Sequence, residues 1–173
     1  RSHRRYRYLI FNQPHRSALW RRRAAWCYRP LDAERMHVAG QALVGEHDFS
    51  SFRAAECQAR HPYREIRALT VRRQGDGIVL EVEANAFLHH MVRNIAGVLM
   101  AVGAGERPVE CARAVLEQRD RTRAGATAPA EGLYLLAVRY PRRFDLPPPP
   151  PTVPGFVPTL EERDSCAKAC SPV

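Results

Sequence analysis

Between Phe87 and Val102 the sequence leaves almost no polar side for a helix. Phe87, Leu88, Met91, Val92, Ile95, Ala96, Val98, Leu99, Met100, Ala101 and Val102 would cover most of its circumference. A helix apolar all round belongs in the middle of a domain, so the rest of the chain must build layers around it. Into this segment the sequence sets His89, His90 and Arg93. A buried guanidinium without a partner is strongly destabilising, so Arg93 has to meet an anion. Two sources are open: a carboxylate of the chain itself, such as Glu131, or an anion that belongs to a functional site.

The flanking segments supply the layers. Arg4 to Asn12 alternates as a strand, with Tyr6 and Tyr8 on one face and Arg5 and Arg7 on the other. Residues 13–30 read as a basic loop holding Trp20 and Trp26. Leu31 to Val44 reads as a helix capped by Asp32 and ended by Gly45. Residues 46–62 show no strong period. Glu65–Arg73 and Ile78–Ala84 are alternating strands joined across Gln74-Gly75-Asp76-Gly77, a strong hairpin signal. After the apolar helix, a second one is predicted from Pro108 to about Gln118, and Leu133–Tyr140 is the last strand. The order β-α-β-β-α-α-β predicts an α+β, ferredoxin-like domain, an antiparallel sheet backed by helices. The aromatic signatures of an RRM are not visible on these strands.

Charge is concentrated rather than spread. Residues 1–29 hold nine arginines and no Asp or Glu, whereas the remaining 144 residues carry 18 basic and 18 acidic side chains. An arginine-rich coding bias explains the near absence of lysine, but not the absence of acids over 29 residues. The better reading is a polyanion-binding face, with nucleic acid as the partner.

The remaining features bound the class. No apolar run reaches the length of a membrane span, so no membrane partner is expected. Five scattered cysteines argue against a disulfide scaffold and for a cytoplasmic setting; Cys166 and Cys170 lack companion histidines for zinc. From Pro141 the composition changes, with nine of the 14 prolines and the run Pro147–Pro151. The expected organisation is a domain over 1–141 and a proline-rich, disordered tail over 142–173. An SH3-type ligand role for the tail is the alternative to a loosely packed extension. The chain does not begin with Met, and the expectation is that it begins inside a longer protein.

His89-His90 invites a metal reading, but zinc-binding helices place His at i and i+4, and that position is Arg93. Contact of one histidine with RNA phosphate, and ordinary packed or surface histidines, both remain open. Neither a nucleophile elbow nor a glycine-rich phosphate loop is present.

Five linked segments carry a family resemblance: Arg4-Arg5-Tyr6-Arg7-Tyr8, Leu31 to Met36, Gly45 to Arg53, Ala84 to Ile95, and Ala130 to Leu135. In order and spacing they closely resemble tRNA pseudouridine synthase A, specifically its C-terminal half, over about residues 3–146. The resemblance implies conversion of uridine to pseudouridine in the anticodon stem-loop of tRNA, at positions 38–40. The uridine is flipped into a cleft, attacked by an aspartate, and rejoined through carbon, with no metal or redox cofactor. By the same resemblance Tyr6 stacks on the base and helps remove the C5 proton. Arg93 pairs with the catalytic aspartate, and Leu133 packs against the target base. His89, His90 and Arg53 are expected at the substrate, and Arg4, Arg5, Arg7, Arg21, Arg22 and Arg23 on the RNA backbone. A homodimer is expected too.

One departure matters. The family nucleophile lies in a Gly-Arg-Thr-Asp-Ala-Gly motif, and none of the six aspartates here sits in one. Arg121-Thr122-Arg123-Ala124-Gly125 has a similar outline without the aspartate, but it follows the second helix and corresponds to a different family segment. The chain alone is therefore expected to be inactive. A non-catalytic module for structured RNA is the second reading, and an interaction protein recruited by the proline tail is the third.

Overall fold

In the computed structural model the described residues are 2–140 and Phe144. The proline-rich segment expected over 142–173 lies outside them, Phe144 apart.

Six strands and three helices follow in the order β1 (His3–Asn12), β2 (Ala25–Cys27), α1 (Ala33–Gln41), β3 (Gly45–Asp48), β4 (Tyr63–Gln74), β5 (Gly77–Ala84), α2 (Met91–Gly103), α3 (Cys111–Gln118) and β6 (Leu133–Arg139). The four long strands lie in the order β6-β1-β5-β4, every neighbouring pair antiparallel. This is the arrangement that the predicted β-α-β-β-α-α-β order requires. The hairpin turns at Gly75 and Asp76, as its sequence signals. Asp32 caps α1 by accepting from the Arg35 N–H at 3.0 Å.

Two short strands extend this plan. β2 runs parallel to the C-terminal end of β1, with Ile10 opposite Ala25. β3 pairs with β4, Gly45 opposite Ile66. Neither has an alternating apolar pattern, because each is set by what it lies beside. β2 and β6 share one edge of β1, and Gly132 sits at the junction with φ +99°. A Cβ there would collide with the Leu9 carbonyl and stand 3.0 Å from the Ala25 nitrogen. Only glycine lets the chain turn into β6 at this point.

The helices cover one face of the sheet. Tyr8, Ile10, Leu69, Val71, Ile78, Leu80 and Val82 pack there against Met36, Ile95, Leu99 and Val102. As expected, α2 is buried on nearly all sides. The opposite face carries a smaller cluster, Leu9, Phe11, Ala24 and Val79, beneath Trp20, Trp26 and Tyr134.

The start of α2 differs from the expectation. The helix begins at Met91, not Phe87, and His90 precedes it in the left-handed conformation at φ 60°. His89 and His90 are therefore not helical residues. Continuous apolar sequence looks alike whether it forms a helix or a turn packed on a core, so periodicity places the boundary four residues early. Likewise α1 ends at Gln41 rather than Val44, its last residues turning into β3.

Candidate active site

The even-numbered residues of β1 point to the helical side. Tyr8 is fully buried, and its hydroxyl donates to the Pro129 carbonyl at 2.7 Å. Burial pushes its pKa well above the ordinary tyrosine value; Arg93 opposes the shift and Glu131 adds to it. Two residues towards the strand's start, Tyr6 is only half-buried. In register it faces Val82 on β5 and Leu135 on β6, and its ring meets Phe87 edge-on at 4.9 Å. Leu133 lies two pairs further along, opposite Tyr8 and packed against the core. Leu135, 52% exposed, is thus the open apolar side chain beside Tyr6.

Arg93 rises from the first turn of α2. Its Nε donates to the Ala128 carbonyl at 2.8 Å, which aims the guanidinium along the 126–129 segment. No carboxylate among the described residues lies within 4.0 Å of it, so the Glu131 ion pair does not form. The four described aspartates are engaged in local structure elsewhere. Asp32 caps α1, Asp48 holds Ser50, Asp76 accepts from Gln13, and Asp120 holds Thr122.

A polar clamp fixes this region. Asn94 is 1% exposed; its amide donates to the Phe52 carbonyl at 2.8 Å, and its carbonyl accepts from Thr127 at 2.7 Å and Arg121 at 3.1 Å. Arg121 also donates to the Thr127 hydroxyl at 2.7 Å. The segment that resembles the nucleophile motif in outline therefore fastens the 125–128 loop onto α2. Gly97 allows the loop to come close, since a Cβ there would strike the Ala126 carbonyl. A polar side chain in an apolar helix signals such a partner, but its sequence position does not say which.

The other expected site residues divide. His89 is exposed, and its ring stacks on that of His90 with centroids 4.0 Å apart. Desolvation, then the charges of His89 and Arg93, hold His90 below the ordinary histidine value. Arg53 donates to the carbonyls of Cys57 and Ala59, so its guanidinium shapes the 53–59 loop, which in turn holds the His89 backbone. Arg4 is exposed on the Tyr6 side. Arg5 and Arg7 are on the opposite face, where both bind Glu81, with Arg72 at 3.7 Å from the same carboxylate. Arg21, Arg22 and Arg23 are exposed in the loop before β2. Tyr6, Leu133 and Arg93 thus share one side of the sheet, while Arg5 and Arg7 are separated from them.

The arrangement offers an aromatic face, an apolar wall and an oriented cation. Together these suit a planar base and an anion beside it. Among the described residues no helix is long and apolar enough to cross a membrane.

Sequence relatives agree with this chemistry. The family described as tRNA pseudouridine synthase matches residues 39–141. The tRNA pseudouridine synthase A of Methylococcus capsulatus is 57% identical over 141 residues, covering 82% of this chain and 52% of the relative. That of Tolumonas auensis is 53% identical over 147 residues, covering 85% and 56%. That of Actinobacillus succinogenes is 56% identical over 144 residues, covering 83% and 54%. The chain spans about half the length of these curated relatives. It belongs to the tRNA pseudouridine synthase family.

Proposed function

We propose that this chain forms the substrate-facing wall of an enzyme that converts uridine to pseudouridine in the anticodon stem-loop of tRNA, at positions 38–40, in the cytoplasm and as a homodimer. The observation that carries the reading is Arg93. Its guanidinium is held by Ala128 on the same side of the sheet as Tyr6, with no carboxylate of the described residues within 4.0 Å. The reaction needs an aspartate whose charge is stabilised and whose carboxylate oxygen can attack the flipped uridine. Arg93 is placed to hold that carboxylate by charge-assisted hydrogen bonds.

Tyr6 supplies the stacking surface for the flipped uracil, and its hydroxyl helps to remove the C5 proton, taking it up as its own proton passes on to solvent. Leu133 and Leu135 close the apolar side. His89 and His90 face the RNA backbone together with Arg4. No aspartate of this sequence fills the nucleophile's role, so the 173-residue chain by itself is inactive.

The test is tritium release from tRNA labelled at uridine C5. The chain alone releases none above background, whereas an assembled enzyme containing it does. Turnover by the chain alone refutes the assignment of the nucleophile.

A further inference from the structure

On the sheet face away from the helices, a cavity of about 730 Å³ lies between the 16–24 loop and Pro129 and Glu131. Phe11, Trp20 and Trp26 line its apolar side, and Arg16, Arg21 and Arg22 its rim. We propose that it holds an unpaired nucleotide of the RNA substrate other than the one that reacts, with the base on the tryptophan wall and the phosphate on the arginines. This rests on the RNA reading above and adds to it a base-binding subsite.

The volume is within the usual range for a small-molecule site, and a nucleotide fits it. Its surface has the two chemistries a nucleotide needs. Trp20 stacks on Phe11 with centroids 6.3 Å apart, and the Arg16 guanidinium lies over the Trp26 ring at 4.3 Å. Indole faces and guanidinium planes are the surfaces on which unstacked bases rest. The indole N–H of Trp26 is already satisfied by the Gln13 carbonyl at 3.0 Å, so what this side offers a ligand is the layered Trp26 ring and Arg16 plane.

Charge favours the same occupant. Residues 1–29 contain no acid, and Arg21 and Arg22 make no ion pair among the described residues. Glu131, the one acidic residue lining the cavity, can accept from a base N–H.

The loop is also preorganised. Arg23 and Ala24 both donate backbone N–H groups to the Trp20 carbonyl, Tyr134 donates its hydroxyl to the Arg23 carbonyl at 2.7 Å, and Arg22 turns the chain at φ 62°. The 128–131 segment joins the two sites, since Pro129 lines this cavity while the neighbouring Ala128 carbonyl receives the Arg93 side chain. A strand of RNA that places one nucleotide at Tyr6 can therefore set another across the 129–131 segment.

Trp20 and Trp26 are the only tryptophans in the sequence, so intrinsic fluorescence reports on this cavity directly. The 173-residue chain is titrated with a uridine pentanucleotide and with an abasic ribose-phosphate oligomer of equal charge, and its binding of labelled tRNA is followed by anisotropy. Quenching by the pentanucleotide is expected, with about 10-fold weaker binding of the abasic oligomer, the loss expected for one stacked base. Trp20→Ala, checked for fold by circular dichroism, is expected to weaken pentanucleotide binding about 10-fold as read from quenching of Trp26, and an unchanged affinity overturns the subsite. Binding of tRNA with unchanged tryptophan fluorescence overturns the subsite alone. So does equal affinity for the abasic oligomer, or a fluorescence change that follows protein concentration, which would mark self-association. Absence of tRNA binding by anisotropy overturns the RNA reading itself.

Discussion

Arg93 and Ala128 bind each other twice. The Arg93 side chain donates from Nε to the Ala128 carbonyl at 2.8 Å, and the Ala128 N–H donates to the Arg93 carbonyl at 3.2 Å. The guanidinium is thus aimed by a loop that its own backbone anchors, and the orientation of the cation depends on the 121–128 segment staying docked on α2.

Arg93→Lys keeps the charge but loses the planar fork and its Nε bond. In an assembled enzyme containing this chain, kcat for tritium release is expected to fall about 100-fold, the scale of losing one oriented electrostatic contact in a transition state. Affinity for tRNA should stay within about 3-fold, because phosphate contacts carry most of it. Equal loss in binding and kcat would show that Arg93 serves RNA affinity instead.

Gly97→Ala tests the docking. A methyl group would favour the helix by about 1 kcal/mol, yet it strikes the Ala126 carbonyl, and overpacking against backbone costs about 1–3 kcal/mol. The clash wins if the loop is fixed. A net loss of about 1 kcal/mol should appear as a lower denaturation midpoint, and a gain in stability would mean that the loop moves freely.

Asn94→Ala strands the Phe52 carbonyl and removes the acceptor of Arg121 and Thr127. An expected loss of about 2–3 kcal/mol follows from leaving buried polar groups unpaired. In a double-mutant cycle with Thr127→Val, a coupling above about 0.5 kcal/mol marks a shared network, and strict additivity rejects it.

Glu81 makes stability depend on pH. Burial acts to raise its pKa, but the hydrogen bonds and charges of Arg7 and Arg5 prevail and hold it below the ordinary value. A carboxylate depressed on folding contributes stability above its unfolded pKa of about 4.3, and loses it as pH falls through the folded value. Glu81→Gln should therefore cost about 2 kcal/mol at pH 7, less than for a fully enclosed pair because Arg5 is half in solvent, and the gap should narrow at pH 3. Urea titrations at the two pH values measure it. A gap independent of pH would assign Glu81 a packing role only.

Reversing Arg21, Arg22 and Arg23 to Glu should flatten the dependence of log affinity for tRNA on log salt by about 0.7 per lost phosphate contact. An unchanged slope would remove the loop before β2 from the RNA interface.

Much of this was written in local pattern. The alternation of Arg4 to Asn12, the Gly75-Asp76 turn and the Asp32 cap act within a few residues, so they are legible wherever they occur. The same alternation sorted Tyr6 from Arg5 and Arg7 onto opposite faces. β2, β3 and the boundary at His90 were not legible, because each is decided by a neighbour distant in sequence.

By itself the sequence determined the ferredoxin-like order of elements and the family, and it put Tyr6, Leu133 and Arg93 forward as candidates, since period, turn chemistry and motif are properties of the chain alone. Only the tertiary structure decided that Arg93 is aimed by Ala128 without a carboxylate beside it, and that Arg5 and Arg7 neutralise Glu81 on the far face. It also turned Arg121 into a clamp on Asn94 across 27 positions of chain. The reason is physical. Hydrogen bonds and ion pairs between remote residues form where packing has brought them together, and no spacing in the sequence encodes that distance.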